Sequence, residues 1–159
     1  DLATQYQHFH SQPALDAWES RTTAGLNCVT ALRSGTALRY GFDAGYIYSK
    51  ALSANRPGAD RDGVQVSARY QRALLRGELL MQASVTHLND DKGYSALLAN
   101  GDARWQRRNQ ALVQHRTPFA LGNKTVQFTI TAFLQRQSSN IALFDTKDAS
   151  IEFGFSVPI

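Results

Sequence analysis

Charged residues form only 19% of this 159-residue chain, against about 25% in a typical soluble domain. The net charge of +4 comes from 17 basic and 13 acidic residues. The basic residues are scattered and match no DNA- or RNA-binding motif, which argues against a nucleic-acid partner. No apolar run approaches the roughly 18–20 residues of a membrane helix. The single cysteine, Cys28, excludes a disulfide framework and a cysteine-based metal site.

Alternation of apolar and polar residues with a period of two predicts eight β-strands. The pattern is strongest over residues 125–135, where Val126, Phe128 and Ile130 share one face and Thr and Gln residues occupy the other. Most predicted strands are longer than the roughly 5–6 residues of a soluble sheet, and they suit the roughly 9–11 residues of a tilted membrane strand. In chain order they lie within or around residues 2–10, 24–28, 38–49, 64–70, 79–85, 103–116, 125–135 and 149–157.

The connections between these strands alternate in length. Long polar connections are predicted at residues 11–20, 50–62, 89–102 and 137–148, and short turns at residues 33–36, 76–77 and 118–124. In an antiparallel sheet this alternation puts every long connection on one side, as in outer-membrane barrels with short periplasmic turns and longer external loops. We therefore predict an all-β, antiparallel up-and-down transmembrane β-barrel in a bacterial outer membrane, with both chain ends periplasmic.

The barrel is expected to be a single domain spanning residues 1–159, and it either closes alone or forms the C-terminal part of a larger pore. The start of the chain, at Asp1, indicates a processed end or a cut from a longer protein. Outer-membrane lipid is its expected partner. Alternation alone does not decide which face points outward, so a soluble barrel with an apolar ligand cavity, in the style of the lipocalins, stays open as an alternative.

The face opposite the apolar one carries many arginines. Guanidinium groups bind carboxylate and phosphate in a bidentate manner, so a basic wall suits a water-filled path or a surface for an anionic or hydroxyl-rich polymer. The alternative is that these arginines pair with acids such as Asp43, Glu78 and Glu152 and fill a small barrel. The predicted basic face consists of Arg21, Arg39, Arg69, Arg104, Arg108 and Arg116.

The sequence gives little support to catalysis. His8 and His10 share one face of a predicted strand, but no third metal ligand is apparent, so no metal and no cofactor are expected. Ser139-Asn140 before the last strand, together with residues 43–46, resembles the outer-membrane lipid A deacylases, which are eight-stranded barrels. That resemblance implies a catalytic histidine two residues before the serine, where this chain has Gln137. A lipid A-modifying hydrolase is therefore an alternative function.

Three loop motifs resemble, in order and spacing, the C-terminal barrels of tetratricopeptide-repeat outer-membrane proteins, which include the surface lipoprotein assembly modulators and related exopolysaccharide exporters. The motifs are residues 56–61, residues 93–98 followed by Arg104, and residues 135–145. The likeness covers about three quarters of the chain and implies export or surface display of a macromolecule, a polysaccharide or a lipoprotein, without chemistry. The motif residues expected to matter are Arg56, Asp60, Arg61, Tyr94, Arg136, Asn140 and Phe144.

Overall fold

The computed structural model describes residues 1–7, 13–32, 36–74, 76–95, 97–122 and 124–156. These residues form eight β-strands and two single 3-10 turns, Pro13–Leu15 and Ala142–Phe144. Neither turn is long or apolar enough to cross a membrane as a helix. The strands are β1 (Leu2–Gln7), β2 (Ala17–Ala31), β3 (Ala37–Ala51), β4 (Arg61–Leu74), β5 (Gly77–Ser95), β6 (Leu98–Leu121), β7 (Lys124–Ser139) and β8 (Thr146–Ser156).

All eight strands belong to one antiparallel sheet in which each strand pairs with its neighbours in sequence. The predicted all-β, up-and-down architecture with eight strands is therefore confirmed. Because neighbouring strands are antiparallel, the ends of β1, β3, β5 and β7 and the starts of β2, β4, β6 and β8 lie on one side of the sheet. We call this the long side and the opposite one the short side. No ladder joins β1 to β8 within the described ranges.

The prediction of a long loop at residues 89–102 is wrong. Strands β5 and β6 continue to Ser95 and Leu98, so this segment is an extended hairpin. This segment lacks the alternation of apolar and polar residues that predicts a strand. Its extended conformation comes from the pairing of β5 with β6. The predicted connection at residues 11–20 is also too long, because β2 already begins at Ala17. Residues 8–12, with His8 and His10, lie outside the described ranges.

The register puts most of the apolar side chains on one face and most of the polar ones on the other. Leu26, Phe42, Ala68, Ala83, Ala111, Leu134 and Ala149 are joined by successive cross-strand pairs across β2 to β8. This apolar face is the more exposed one: along β3 the side chains of Tyr40, Phe42, Ala44, Tyr46 and Tyr48 are exposed, whereas Gly41, Asp43, Gly45, Ile47 and Ser49 on the opposite face are buried or half-buried.

The sheet has almost no apolar core. The buried hydrophobic residues among those described are Ala17, Ile47, Val126 and Ile141. The accessible surface is 10991 Å², whereas a compact monomer of this mass has about 7,900 Å². The sheet therefore buries few apolar side chains within the chain itself.

Candidate functional site

The six arginines predicted for the polar face all lie on it. Arg21 pairs in register with Ile47, Arg39 with Gln71, Arg69 with Gly41, and Arg116 with Glu78, while Arg104 and Arg108 alternate with outward residues of β6. They do not form one cluster, because they are spread from β2 to β6. The electrostatic surroundings therefore differ from one arginine to the next.

Two of these arginines have weak acidic partners. The guanidinium of Arg69 lies 3.8 Å from Asp43, and that of Arg21 lies 3.7 Å from Glu19. The Arg69 side chain is still 51% exposed, so solvent screens the pair and the positive charge stays accessible. A recess of about 250 Å³ on this face joins Arg69 to Arg116 and Glu78.

Neutral amides connect the strands between the arginines. The hydroxyl of Ser84 donates to Oε1 of Gln110 at 3.3 Å, and Nε2 of Gln110 donates to Oε1 of Gln135 at 2.7 Å. Nε2 of Gln114 donates to Oγ1 of Thr131 at 3.0 Å, while Gln114 Oε1 is buried and has no partner in the described part of the chain. This row of amides can donate to and accept from hydroxyl groups.

The third group on the polar face is an ion cluster at its long side, centred on Asp90. Nε of Arg61 donates to Oδ1 of Asp90 at 2.8 Å, and Nη2 of Arg104 donates to the same oxygen at 3.2 Å. Nε of Arg104 lies 2.9 Å from Oδ2. Arg104 is 5% exposed and Asp90 7%, so each charge depends on the other for compensation.

Two aromatic rings enclose the buried guanidinium. The Cζ atom of Arg104 lies 4.4 Å from the ring centroid of Tyr94 and 4.4 Å from that of Phe144. These rings contact each other edge to face at 5.1 Å. The backbone carbonyl of Phe144 also accepts a hydrogen bond from Gln137, whose Oε1 accepts from Nε and Nη2 of Arg108. The cluster thus joins the β5–β6 hairpin to the β7–β8 connection.

A bulge in β5 brings the β3–β4 connection into the same cluster. Residues 90–92 lie opposite Arg104 alone, between the pairs Asn89–Trp105 and Gly93–Ala103. The freed N–H groups of Asp91 and Lys92 donate to the carbonyls of Asp60 and Gly58. Gly58 has a φ of +78°, and a Cβ there would lie 2.2 Å from Oδ2 of Asp90, so only glycine fits.

Asp60 closes the β3–β4 connection back onto β3. The hydroxyl of Tyr48 donates to its Oδ2 at 2.7 Å, and the N–H of Ala51 donates to its Oδ1 at 2.8 Å. These bonds, the one from Tyr48 first, lower the pKa of the Asp60 carboxyl below its usual value. Nη1 of Arg56 donates to Oγ of Ser49 at 3.1 Å, which ties the loop to β3 a second time.

Five of the seven motif residues therefore meet on the long side, around an acid that the sequence did not single out. Asp90 is one of several acids and amides in residues 89–92, and it faces inward in the regular register of β5, opposite Arg61. Asn140 has a different role, because just beyond the end of β7 its side chain binds the edge of β6 through the N–H of Trp105 and the carbonyl of Ala103, each at 2.9 Å. Arg136 is on the apolar face, opposite Lys147.

The residues that resemble a lipid A deacylase site are not arranged for hydrolysis. The Ser139 hydroxyl donates to the carbonyl of Trp105 at 2.7 Å and accepts from the N–H of Ile141. The Gln137 amide is bound to Arg108 and to the Phe144 carbonyl. Within the described ranges no group of three His, Cys, Asp or Glu side chains is placed to hold a metal ion.

No family model matches the chain, and no match was found among the curated proteins or the solved structures.

Proposed function

We propose that this sheet is the wall of an outer-membrane β-barrel whose polar face lines a path for a macromolecule, a polysaccharide or a lipoprotein. The observation that carries the proposal is the exposed apolar face. Between Arg107, Arg136 and Lys147 at its long side and Arg72 and Lys124 at its short side, the described residues of this face include no Asp, Glu, Lys or Arg. Charged side chains are well tolerated on a surface that faces water, whereas they are destabilising on a surface that faces lipid.

Aromatic side chains border this apolar belt. Tyr40 and Tyr70 pair at its short side, and Tyr6 packs against Trp18 at its long side, with ring centroids 5.2 Å apart and the ring planes tilted by 42°. Tyr40 and Tyr48 bound the belt on β3, and the eight-residue rise between them corresponds to about 26 Å along the strand. With the usual tilt of a barrel strand this is about 20 Å across the bilayer, close to the roughly 25 Å apolar band of outer-membrane barrels.

The same exposure pattern disfavours the lipocalin-like alternative. A soluble ligand-binding barrel keeps its apolar face inside, where side chains fill the interior. Here the half-buried face carries arginines, glutamines and threonines, and side chains such as Phe42 and Val66 are 59% and 55% exposed on the other. This polarity of the sheet supports the proposal of a membrane barrel.

The free edges favour a barrel wall that continues beyond these eight strands. Strand β1 pairs with β2 only up to Thr22, so among the described residues nothing forms a ladder with residues 24–31 of β2 on that side, or with the outer edge of β8. An eight-stranded barrel fills its interior with side chains, whereas wider barrels enclose an aqueous channel. A wider barrel is what passage of a polymer requires, and the loop motifs resemble exporters of this kind.

The first test is SDS gel mobility of the detergent-extracted protein from bacterial envelopes, with and without boiling. We expect the unboiled protein to migrate as a compact band that shifts on heating, because a membrane β-barrel resists SDS until it is heated. Protein found in the aqueous fraction, with no shift, would refute the membrane assignment.

The lining of the path is tested by conductance across planar bilayers. The variant combining Arg39→Gln, Arg69→Gln and Arg116→Gln should keep its channel and lose preference for anions over cations, because three accessible positive charges leave the wall. The matched control carries Arg72→Gln and Lys124→Gln, on the outward face, and should keep the preference of the unmodified protein. Equal ion selectivity in all three proteins would show that the polar face does not line the path.

A further inference from the structure

Three basic residues gather on the outward face at the long-side border of the apolar belt. Lys147 lies directly opposite Arg136 on the neighbouring strand, and Arg107 lies opposite Ser138, diagonal to Arg136. Side chains directly opposite have Cβ atoms about 4.5–5.5 Å apart, and diagonal neighbours about 7–8 Å. All three residues are exposed. They therefore converge within reach of one small anion.

No acid on this face compensates the three charges. Asp148, next to Lys147, pairs in register with Gln135 and so faces the polar side, and Asp145 accepts a hydrogen bond from the N–H of Ser139. Among the described residues no ion pair joins Arg107, Arg136 or Lys147 to a carboxylate. Like charges directly opposite each other on a sheet are destabilising, so an external anion between them would stabilise this part of the sheet.

An open groove of about 590 Å³ begins at Arg136 and Lys147 and runs along the sheet. Its outward-facing lining residues are Asn109, Ala111, Leu134, Arg136, Lys147 and Ala149, and the inward-facing Gln110, Gln135 and Asp148 line its base. The small side chains of Ala111 and Ala149 leave a shallow trough along each side of Leu134. A cationic rim above an apolar trough is complementary to an amphiphile with an anionic head and a hydrocarbon chain.

We propose that this groove binds a membrane lipid with a phosphorylated headgroup, with the phosphate between Arg136, Lys147 and Arg107 and an acyl chain along Ala111, Leu134 and Ala149. The inference rests on the proposed membrane location. Trp105, two residues before Arg107 on the same face, marks the level at which headgroups lie. Arginine and lysine at that level recognise lipid phosphate by charge and by bidentate hydrogen bonds.

The test uses the protein extracted from the envelope in dodecyl maltoside and mixed with equal amounts of diphosphorylated lipid A and phosphatidylcholine. Lipid retained by the folded protein is measured by native mass spectrometry. The triple variant Arg107→Gln, Arg136→Gln, Lys147→Gln should bind lipid A on the order of a hundredfold more weakly, since each basic residue at a membrane surface contributes about a fivefold factor in affinity. The control variant Arg72→Gln, Lys124→Gln removes charge from the opposite border and should bind lipid A as the unmodified protein does.

Three results would overturn the inference: equal retention by the triple variant, equal retention of dephosphorylated lipid A, or displacement by inorganic phosphate at equimolar concentration. The last would identify a phosphate site without lipid. Unboiled gel mobility of the same samples separates this inference from the proposed function. A heat-modifiable band with no lipid preference refutes only the lipid site, whereas loss of the shift in the unmodified protein refutes the membrane location.

Discussion

Replacing Asp90 by Asn removes one charge from the long-side cluster and leaves its shape unchanged. Arg104 would then be a buried cation between two aromatic rings with no carboxylate. Arg61 would lose its partner as well, although its side chain is 23% exposed and regains water. The substitution therefore isolates the electrostatic contribution of one buried carboxylate.

Removing one partner of a buried ion pair costs about 3–5 kcal/mol. Because Arg61 is partly hydrated, the lower end applies, and about 3 kcal/mol corresponds to roughly a hundredfold change in an equilibrium constant. The loss should appear as opening of the bulge in β5, where the N–H groups of Asp91 and Lys92 are bound to the β3–β4 connection. The rest of the sheet should keep its stability.

Hydrogen exchange of these two amides is the direct assay. In the Asp90→Asn variant both should exchange about a hundredfold faster, whereas Asp102→Asn, which removes an exposed acid from the same hairpin, should leave them unchanged. Adding Arg104→Met to Asp90→Asn removes the uncompensated charge and should recover part of the protection. Exchange within threefold of the unmodified protein in Asp90→Asn would refute the electrostatic role of the cluster.

Two further predictions test the apolar face and the β3–β4 connection. Val66→Arg should destabilise the protein in lipid vesicles by about 2–4 kcal/mol, measured by the urea midpoint of the heat-modifiable band. Gln65→Arg on the polar face should not, and a change within about 0.5 kcal/mol at Val66, as at an ordinary soluble surface, would contradict a lipid-facing position. The Asp60 carboxyl has a lower pKa in the folded connection than in the unfolded chain, where it is about 3.9. Its ionised form therefore stabilises the folded connection above a pH of about 3.9, and this contribution is lost as the pH falls through the lower folded-state pKa. Relative to cleavage of an unfolded reference peptide at the same pH, pepsin cleavage within residues 52–60 should therefore rise as the pH falls below about 4, and in Asp60→Asn this ratio should no longer rise with acid.

The eight strands could be predicted because one face of each is apolar. Apolar and polar residues alternate along a strand wherever one face lies in an apolar environment over the whole length. That signal fades at residues 89–102, beyond the apolar belt, because the outward face of the β5–β6 hairpin no longer carries a row of apolar side chains and the inward face includes the charged Asp90. Strand ends at Ser95 and Leu98 are set by pairing between the two strands, which a single segment does not reveal.

The candidate site was only partly predictable for a related reason. The arginines of the polar face follow from strand parity alone, and so does Arg136 on the other face once the strand is assigned. Asp90 shares the inward parity of β5, but it falls within residues 89–102, which the sequence assigns to a loop. The convergence of Arg61 and Arg104 on Asp90, and of Tyr94 and Phe144 on Arg104, joins segments that are far apart in sequence, and only the folded sheet brings them together.

The extended hairpin also has a practical consequence. From Gly93 to Ser95 the ribbon rises about 7 Å beyond the bulge, and Leu97 at its tip is 95% exposed. Since the ion cluster anchors the ribbon at its base, sequence at the tip can vary or be lengthened without disturbing the sheet. Residue 97 is therefore a suitable position for inserting an epitope, and antibody binding to intact cells would then report whether the long side faces the outside.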